Sequence, residues 1–211
     1  MKAIFASRNA HKAEQVQRLL VGLELVPLDE AAPGLDLEEP FDSFEANALA
    51  KARAVVKATG APAVGDDSGL EVDALNGAPG VLSARFAGEG AADSDNNAKL
   101  VEALRGVDEA DRTARYRCVA VLVLPDGREF VAEGSCEGTI TPDGRGALGF
   151  GYDPHFIPVL PGGAPETRTM GEIPLDEKLA FSHRGRAFRA LAAQLRRDAF
   201  ILDPEDSTAP P

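Results

Sequence analysis

Apolar and polar positions along this chain switch between a strand period and a helix period. Residues 2 to 6, KAIFA, form a short apolar run that predicts a first strand. SRN interrupts it, and AHKAEQVQRLL then sets Val16, Leu19 and Leu20 at helical spacing. ELVPL predicts a second short strand, and the acidic, Pro- and Gly-containing stretch from Asp29 to Asp42 predicts a mobile loop. FEANALAKARAVVKATG is Ala-rich and helical, with Gly60 placed to end it. APAV predicts a short strand ending at the adjacent Asp66 and Asp67, after which LEVDAL alternates and NGAPG turns. DSDNNAKLVEALRG predicts a helix with an Asp/Ser cap. The clearest element is RYRCVAVLVLPDGREFVAEGSCEGTI, two long strands around a Pro-Asp-Gly turn. A Gly-rich loop and HFIPV lead to a last helix, GRAFRALAAQLRRDAF, and the tail DPEDSTAPP reads as disordered.

This mixed order of strands and helices predicts one α/β domain over residues 1–200, followed by a disordered tail at 201–211. A chain of 211 residues is long enough to bury a sizeable core, and 44% hydrophobic content is a globular value. The balance of 22 basic against 34 acidic residues, net -12, removes any chain-wide electrostatic reason to hold nucleic acid or an anionic membrane. A phosphate-bearing ligand would need local bases or a metal ion. No run approaches membrane-spanning length, and MKAIFASRNAHK lacks the apolar core and cleavage site of a signal peptide. The expectation is a cytoplasmic protein. Its two cysteines, Cys118 and Cys136, have no metal-ligand spacing and are expected to be reduced and buried.

Three stretches carry candidate chemistry. In IFASRNAHK a strand runs into a helix, so the first amides of the helix point outward, a favourable place for phosphate, and Lys12 adds charge one turn in. The plainer reading is that Asn9 caps the helix and Lys12 is solvated. In GDDSG the paired carboxylates suit a hard cation such as Mg²⁺, against an Asx-turn in which Asp66 or Asp67 bonds its own backbone. In GFGYDP, with EKLAFSHRGRA further on, Phe150 and Tyr152 alternate with glycines, which suits stacking on a planar base beside a His or Arg reading its edge. Structural readings of His183 as a helix-start residue capped by Ser182, and of Arg184 as a surface base, stand beside it. Together the three stretches describe a nucleotide pocket.

Five ordered blocks, SRNAHK, FEANALAKA, GDDSGLEVDALNGAPGVLSARFAG, GFGYDP and EKLAFSHRGRA, resemble the inosine triphosphate pyrophosphatase family from Ala3 to about Leu195. The resemblance implies an α/β fold with an elongated mixed β-sheet flanked by helices, in two lobes with the active-site cleft between them. It also implies a homodimer and Mg²⁺-dependent cleavage of deaminated purine nucleoside triphosphates (ITP, dITP, XTP) to monophosphate and pyrophosphate. By position, Ser7, Arg8, Asn9, Ala10, His11 and Lys12 match the family's phosphate-contacting loop, and Lys51 its cleft lysine. Asp67 matches the metal-binding general base and Ser68 the adjacent substrate contact. Phe150, Gly151, Tyr152 and Asp153 match the base pocket, and Lys178, His183 and Arg184 the remaining substrate contacts. The second metal carboxylate is expected at the start of the Ala-rich helix, where Ala46 stands and Glu45 is the acid one step earlier. Glu45 also has capping-box spacing from Asp42, so Asp66 or an acid from the 36–42 loop remains an alternative ligand.

Overall fold

Six strands form a mixed sheet: β1 (Lys2–Phe5), β2 (Glu24–Pro27), β3 (Ala63–Val72), β4 (Thr113–Val123), β5 (Glu129–Ile140) and β6 (Phe156–Pro158), in the order β2-β1-β3-β4-β5-β6. In this computed structural model, which describes residues 1–163 and 166–200, β1 pairs in parallel with β2 and β3, and β5 pairs antiparallel with β6. Six α-helices accompany the sheet among the described residues: α1 (Ala10–Leu19), α2 (Leu28–Ala31), α3 (Phe44–Thr59), α4 (Asp93–Ala103), α5 (Leu175–Phe181) and α6 (His183–Arg197). The tail expected to be disordered, 201–211, lies outside the described residues.

The described chain divides into two compact units, each with its own core. Among the described residues, the first holds 1–67, 118–134 and 184–200. Its core joins Phe5 of β1, Val16 and Leu20 of the first helical segment, Leu122 of β4, and Phe188 and Leu191 of α6. The second holds residues 68–117 and 135–183, and its core gathers Leu70, Leu100, Ile140, Phe156, Met170 and Phe181. Cys118 and Cys136 fall in different cores and are free and buried, as expected for small apolar side chains. Burial pushes the Cys118 thiol up to about 12, so it stays protonated and unreactive.

Several local signals act as their chemistry demands. Asn9 caps α1 by accepting the Lys12 N–H at 3.0 Å, and Gly60 closes α3 in the left-handed region with φ 69°. The Pro-Asp-Gly turn closes with Gly127 N–H donating to Leu124 O at 3.0 Å. Several expectations need correction. The Asp/Ser cap expected for α4 does not form, because Ala92 takes the N-cap position and Asp93 already lies in the helix. The N-cap of α3 is Ser43, whose Oγ accepts the Ala46 N–H, so the Asp42–Glu45 capping box does not form. The aspartate pair does not end a strand, because β3 continues through Asp66 and Asp67 to Val72. Aspartate disfavours strands by itself, and here tertiary ion pairs overrule that preference. The last helix begins at His183, two residues before the expected start, and Ser182 caps the end of α5 instead.

The 29–42 segment is tied down rather than loose. Arg8 donates to Asp29 Oδ1 and to Leu35 O, both at 2.7 Å, and Asn47 bonds both backbone groups of Phe41.

Gly65, just before the aspartates, permits the close approach of α3 to β3. A Cβ there would sit 2.9 Å from Ala48 O and 3.3 Å from Ala52 Cβ and Val121 Cγ2, with backbone on the tightest side. Gly65→Ala is therefore expected to destabilise the fold by ~1–3 kcal/mol, the usual cost of overpacking a filled core. Urea denaturation checks this, and an unchanged midpoint would show that α3 shifts without cost.

Candidate active site

Successive side chains of a strand leave on opposite faces, and the two carboxylates of β3 accordingly meet different partners. Asp66 is fully buried. Lys12 Nζ of α1 lies 3.0 Å from its Oδ2, and the Arg184 guanidinium of α6 approaches the same oxygen at 3.4 Å. Gln15 Oε1 accepts a further bond from Arg184 at 2.9 Å. Burial alone would raise the proton affinity of Asp66, but the charges of Lys12, Arg184 and Lys51 outweigh it and hold the carboxyl far below its ordinary value. Asp66 is thus a permanent anion.

Asp67 faces α3. Lys51 Nζ lies 3.4 Å from its Oδ1, and Asn47 Nδ2 donates to its Oδ2 at 3.2 Å. Lys51 also pairs with Glu39 from the loop before α3. Burial raises the Asp67 pKa, Glu39 and Asp66 push the same way, and the opposing pull of Lys51 and Lys12 does not cancel them. Burial pulls the buried Lys51 ammonium down, but Asp67, Glu39 and Asp66 win and its pKa rises. The result is a fixed cation between two carboxylates, one of which is a stronger base than an ordinary aspartate.

Glu45 stands apart from this group among the described residues. It is exposed in the first turn of α3, and Glu39 is the acid that acts on Asp67. Among the described residues no cluster of three or more His, Cys, Asp or Glu stands ready to hold a metal, so any ion here would draw on two carboxylates. In the α1 loop, Ser7 Oγ accepts the Asn9 N–H at 3.2 Å, while Ala10 and His11 are exposed at the helix start. Arg8 bonds Asp29 and Leu35, and Lys12 of this stretch reaches Asp66.

The second unit carries the aromatic loop. Lys178 of α5 is buried and donates to Asp153 Oδ2 at 2.9 Å and to Leu148 O at 3.0 Å. Tyr116 OH lies 3.4 Å from Asp153 Oδ1, and its ring stacks on His183 at 4.6 Å. Gly149, with φ 101°, passes so close that a Cβ would strike both Asp153 and Lys178. Tyr152 is an anchor: buried, with its hydroxyl donating to Ser83 O at 2.8 Å. Phe150 is half-buried, as is Ser68 on β3. Arg184 belongs to the first unit, where its guanidinium meets Asp66 and Gln15. Two of the four points where the chain passes from one unit to the other fall between candidate residues, Asp67 and Ser68, and His183 and Arg184.

Sequence reasoning missed Glu39 as the partner of Lys51, Asn47 as the clasp on Asp67, and Asp93 and Asn97, which bond Gly151. Asn47 stood inside the FEANALAKA block and Glu39 among the acids of the 36–42 loop held open as metal ligands, whereas Asp93 and Asn97 stood only in a helix expected on its periodicity.

The model of the Ham1 family matches residues 3–194. A protein of Desulforamulus reducens named dITP/XTP pyrophosphatase is 45% identical over 200 residues, covering 93% of this chain and 96% of its own. Among solved structures, a HAM1 protein from Coxiella burnetii superposes with a TM-score of 0.82 at 39% identity, covering 93% of this chain and 99% of the other. A nucleoside-triphosphatase / dITP/XTP pyrophosphatase from Mycobacterium abscessus does so with a TM-score of 0.72 at 45% identity, covering 93% and 100%.

The Asp66 cluster sets a pH dependence for stability. Its folded pKa lies below the unfolded value, so its contribution is whole above the usual carboxylate range near pH ~4 and is lost as pH falls toward the folded value. In metal-free buffer at pH 7, Asp66→Asn should cost ~3–5 kcal/mol, since it strands buried cations. The gap to the unmodified protein should narrow as denaturation is repeated toward pH 3. A gap that stayed constant would refute the neutralisation.

Proposed function

Since this chain belongs to the Ham1 family, we propose that it hydrolyses ITP, dITP and XTP to the nucleoside monophosphate and pyrophosphate, clearing deaminated purines from the nucleotide pool. The observation that carries the reading is Asp67, a buried carboxylate of raised proton affinity held by Lys51 and Asn47 beside a second, permanently ionised aspartate. A structural strand has no use for such an arrangement, and perturbed carboxylates of this kind gather where chemistry is done.

Phosphoryl transfer asks a protein mainly for positioning and charge neutralisation. Lys12 and Lys51 supply fixed positive charge for the phosphate oxygens, each held in place by an aspartate. Asp67 orients the attacking water and accepts its proton at Oδ1 or Oδ2, and its raised pKa makes it better suited to that task. Asp66 keeps Lys12 and Arg184 charged and still.

The donor set suits Mg²⁺. Asp67 and Glu39 are hard oxygen donors that share Lys51 as a partner, and Mg²⁺ is commonly held by one or two carboxylates, with substrate phosphates and waters completing its shell. When bound, the ion would supply charge on the phosphate chain and acidify water. Glu39 replaces Glu45 as the second ligand in this reading.

For the base, the second unit offers a donor beside an acceptor. Lys178 Nζ and the Asp153 carboxylate lie 2.9 Å apart. A 6-keto purine presents an acceptor at O6 and a donor at N1, which fits that pair, whereas adenine presents the reverse. Phe150 supplies the stacking face. Residence in the cytoplasm accords with the two free cysteines, and a homodimer belongs to the same reading.

With Mg²⁺ present, kcat/KM for ITP, dITP and XTP should exceed that for ATP by at least ~10²-fold, because an edge mismatch leaves polar groups unpaired. Asp67→Asn should lower kcat at least ~10²-fold. Equal rates on ATP and ITP, or full activity in Asp67→Asn, would overturn the proposal.

The metal assignment has its own test in Mg²⁺ titrations of activity. Glu39→Gln should raise the half-saturating Mg²⁺ concentration about 10-fold or more, within the range seen when a metal site loses a supporting group. Glu45→Gln should leave it unchanged. The opposite pattern would return the second ligand to Glu45.

A further inference from the structure

Helix α4 begins at Asp93, and its N-cap position is Ala92, so the Asp93 side chain is not used as a cap. Asp93 Oδ2 instead accepts the N–H of Gly151 at 2.6 Å, a contact 58 residues away in sequence. One helical turn on, Asn97 Nδ2 donates to the carbonyl of the same Gly151 at 3.0 Å. Residues four apart on a helix share a face, so a single side of α4 holds both backbone groups of one residue. Asn97 Oδ1 is buried and has no hydrogen-bond partner among the described residues, so the amide serves the Gly151 contact alone.

Gly151 is where the aromatic loop has most freedom to go wrong. Its φ is 61°, in the left-handed region, and nothing lies within 4 Å of where a Cβ would be. Side-chain packing therefore cannot hold it. Its N–H belongs to the peptide that follows Phe150, and its C=O to the peptide that precedes Tyr152. Tyr152 is already anchored through Ser83, and Leu148 through its N–H to Gly171 O at 2.8 Å. Between these anchors, the Asp93 bond sets the plane of the Phe150–Gly151 peptide and the Asn97 bond that of the Gly151–Tyr152 peptide, so the backbone on the C-terminal side of Phe150 is fixed by α4.

We propose that Asp93 and Asn97 are positioning residues for base recognition: they clamp Gly151 so that Phe150 presents its ring to the purine. The inference rests on the base-stacking role of Phe150 proposed above. Stacking acts alike in the ground state and the transition state, so losing the clamp raises KM and spares kcat.

The test uses the full-length protein with ITP and Mg²⁺. Asp93→Ala should raise KM about 10-fold, the scale of one hydrogen bond to a charged group, and Asn97→Asp should raise it about 5-fold or more by losing a neutral hydrogen bond and facing a carboxylate to the carbonyl, each with kcat within about twofold. Asp93→Asn keeps a side-chain oxygen and should recover most of the loss. Exchange of the Gly151 amide hydrogen in nucleotide-free protein should accelerate in Asp93→Ala and not in Asp93→Asn. In a Phe150→Ala background, which itself raises KM, Asp93→Ala should add less than about twofold, as expected of two residues acting through one contact. If Asp93→Ala and Asn97→Asp leave KM unchanged while Phe150→Ala raises it, the clamp is refuted and the base pocket stands. Additive effects of Asp93→Ala and Phe150→Ala refute the clamp in the same way. If Phe150→Ala leaves KM unchanged, the stacking reading fails and the inference fails with it.

Discussion

The first unit depends on one electrostatic constraint, the burial of the Asp66 carboxylate. An isolated ionised carboxylate in a protein interior is prohibitively costly, so β3 can carry Asp66 only if cations are brought to it. Lys12 comes from α1 and Arg184 from α6, and both reach the same oxygen. One side chain in the sheet therefore dictates where two helices must place their first turns. The apolar packing of Val16, Phe188 and Leu191 supplies the bulk of the burial, while the ion pairs specify which rotation of each helix is acceptable.

The constraint also explains the division of labour between adjacent aspartates. Asp66 is neutralised so completely that its own chemistry is silenced, and it keeps its cations charged. Asp67 meets Lys51, which it shares with Glu39, and the neutral amide of Asn47, and the pull of Lys51 and Lys12 does not cancel the effect of its burial. Gly65 contributes by having no side chain, which lets α3 bring Asn47 and Lys51 within reach. Adjacent carboxylates thus acquire opposite shifts from their environments, the pattern expected where acid and base roles are separated.

The second unit solves a different problem, that of holding an aromatic on a glycine-rich loop. Gly149 must be glycine because the Lys178–Asp153 ion pair fills the space beside it, whereas Gly151 is glycine for its backbone conformation. Such a loop has few side chains of its own to pack, so neighbouring elements fasten its backbone. Ser83, Gly171 and α4 each take a share.

Much of this protein was legible in the order of its residues. The hairpin around Pro-Asp-Gly, the Asn9 cap and the Gly60 stop are local, because each depends on residues within a few positions of one another. The blocks SRNAHK, GDDSG and GFGYDP marked out the family. What lay beyond reach was every choice made by distant partners. Nothing in the sequence said that Arg184 would meet Asp66, 118 positions earlier. Glu45 looked like the nearest acid for a metal, yet the chain folds back so that Glu39 faces Lys51. The aspartates looked like the end of a strand, because nothing nearby in sequence could offset their charge. Local propensity and spacing are carried by the chain itself, but the pairing of buried charges is decided only when helices pack against the sheet.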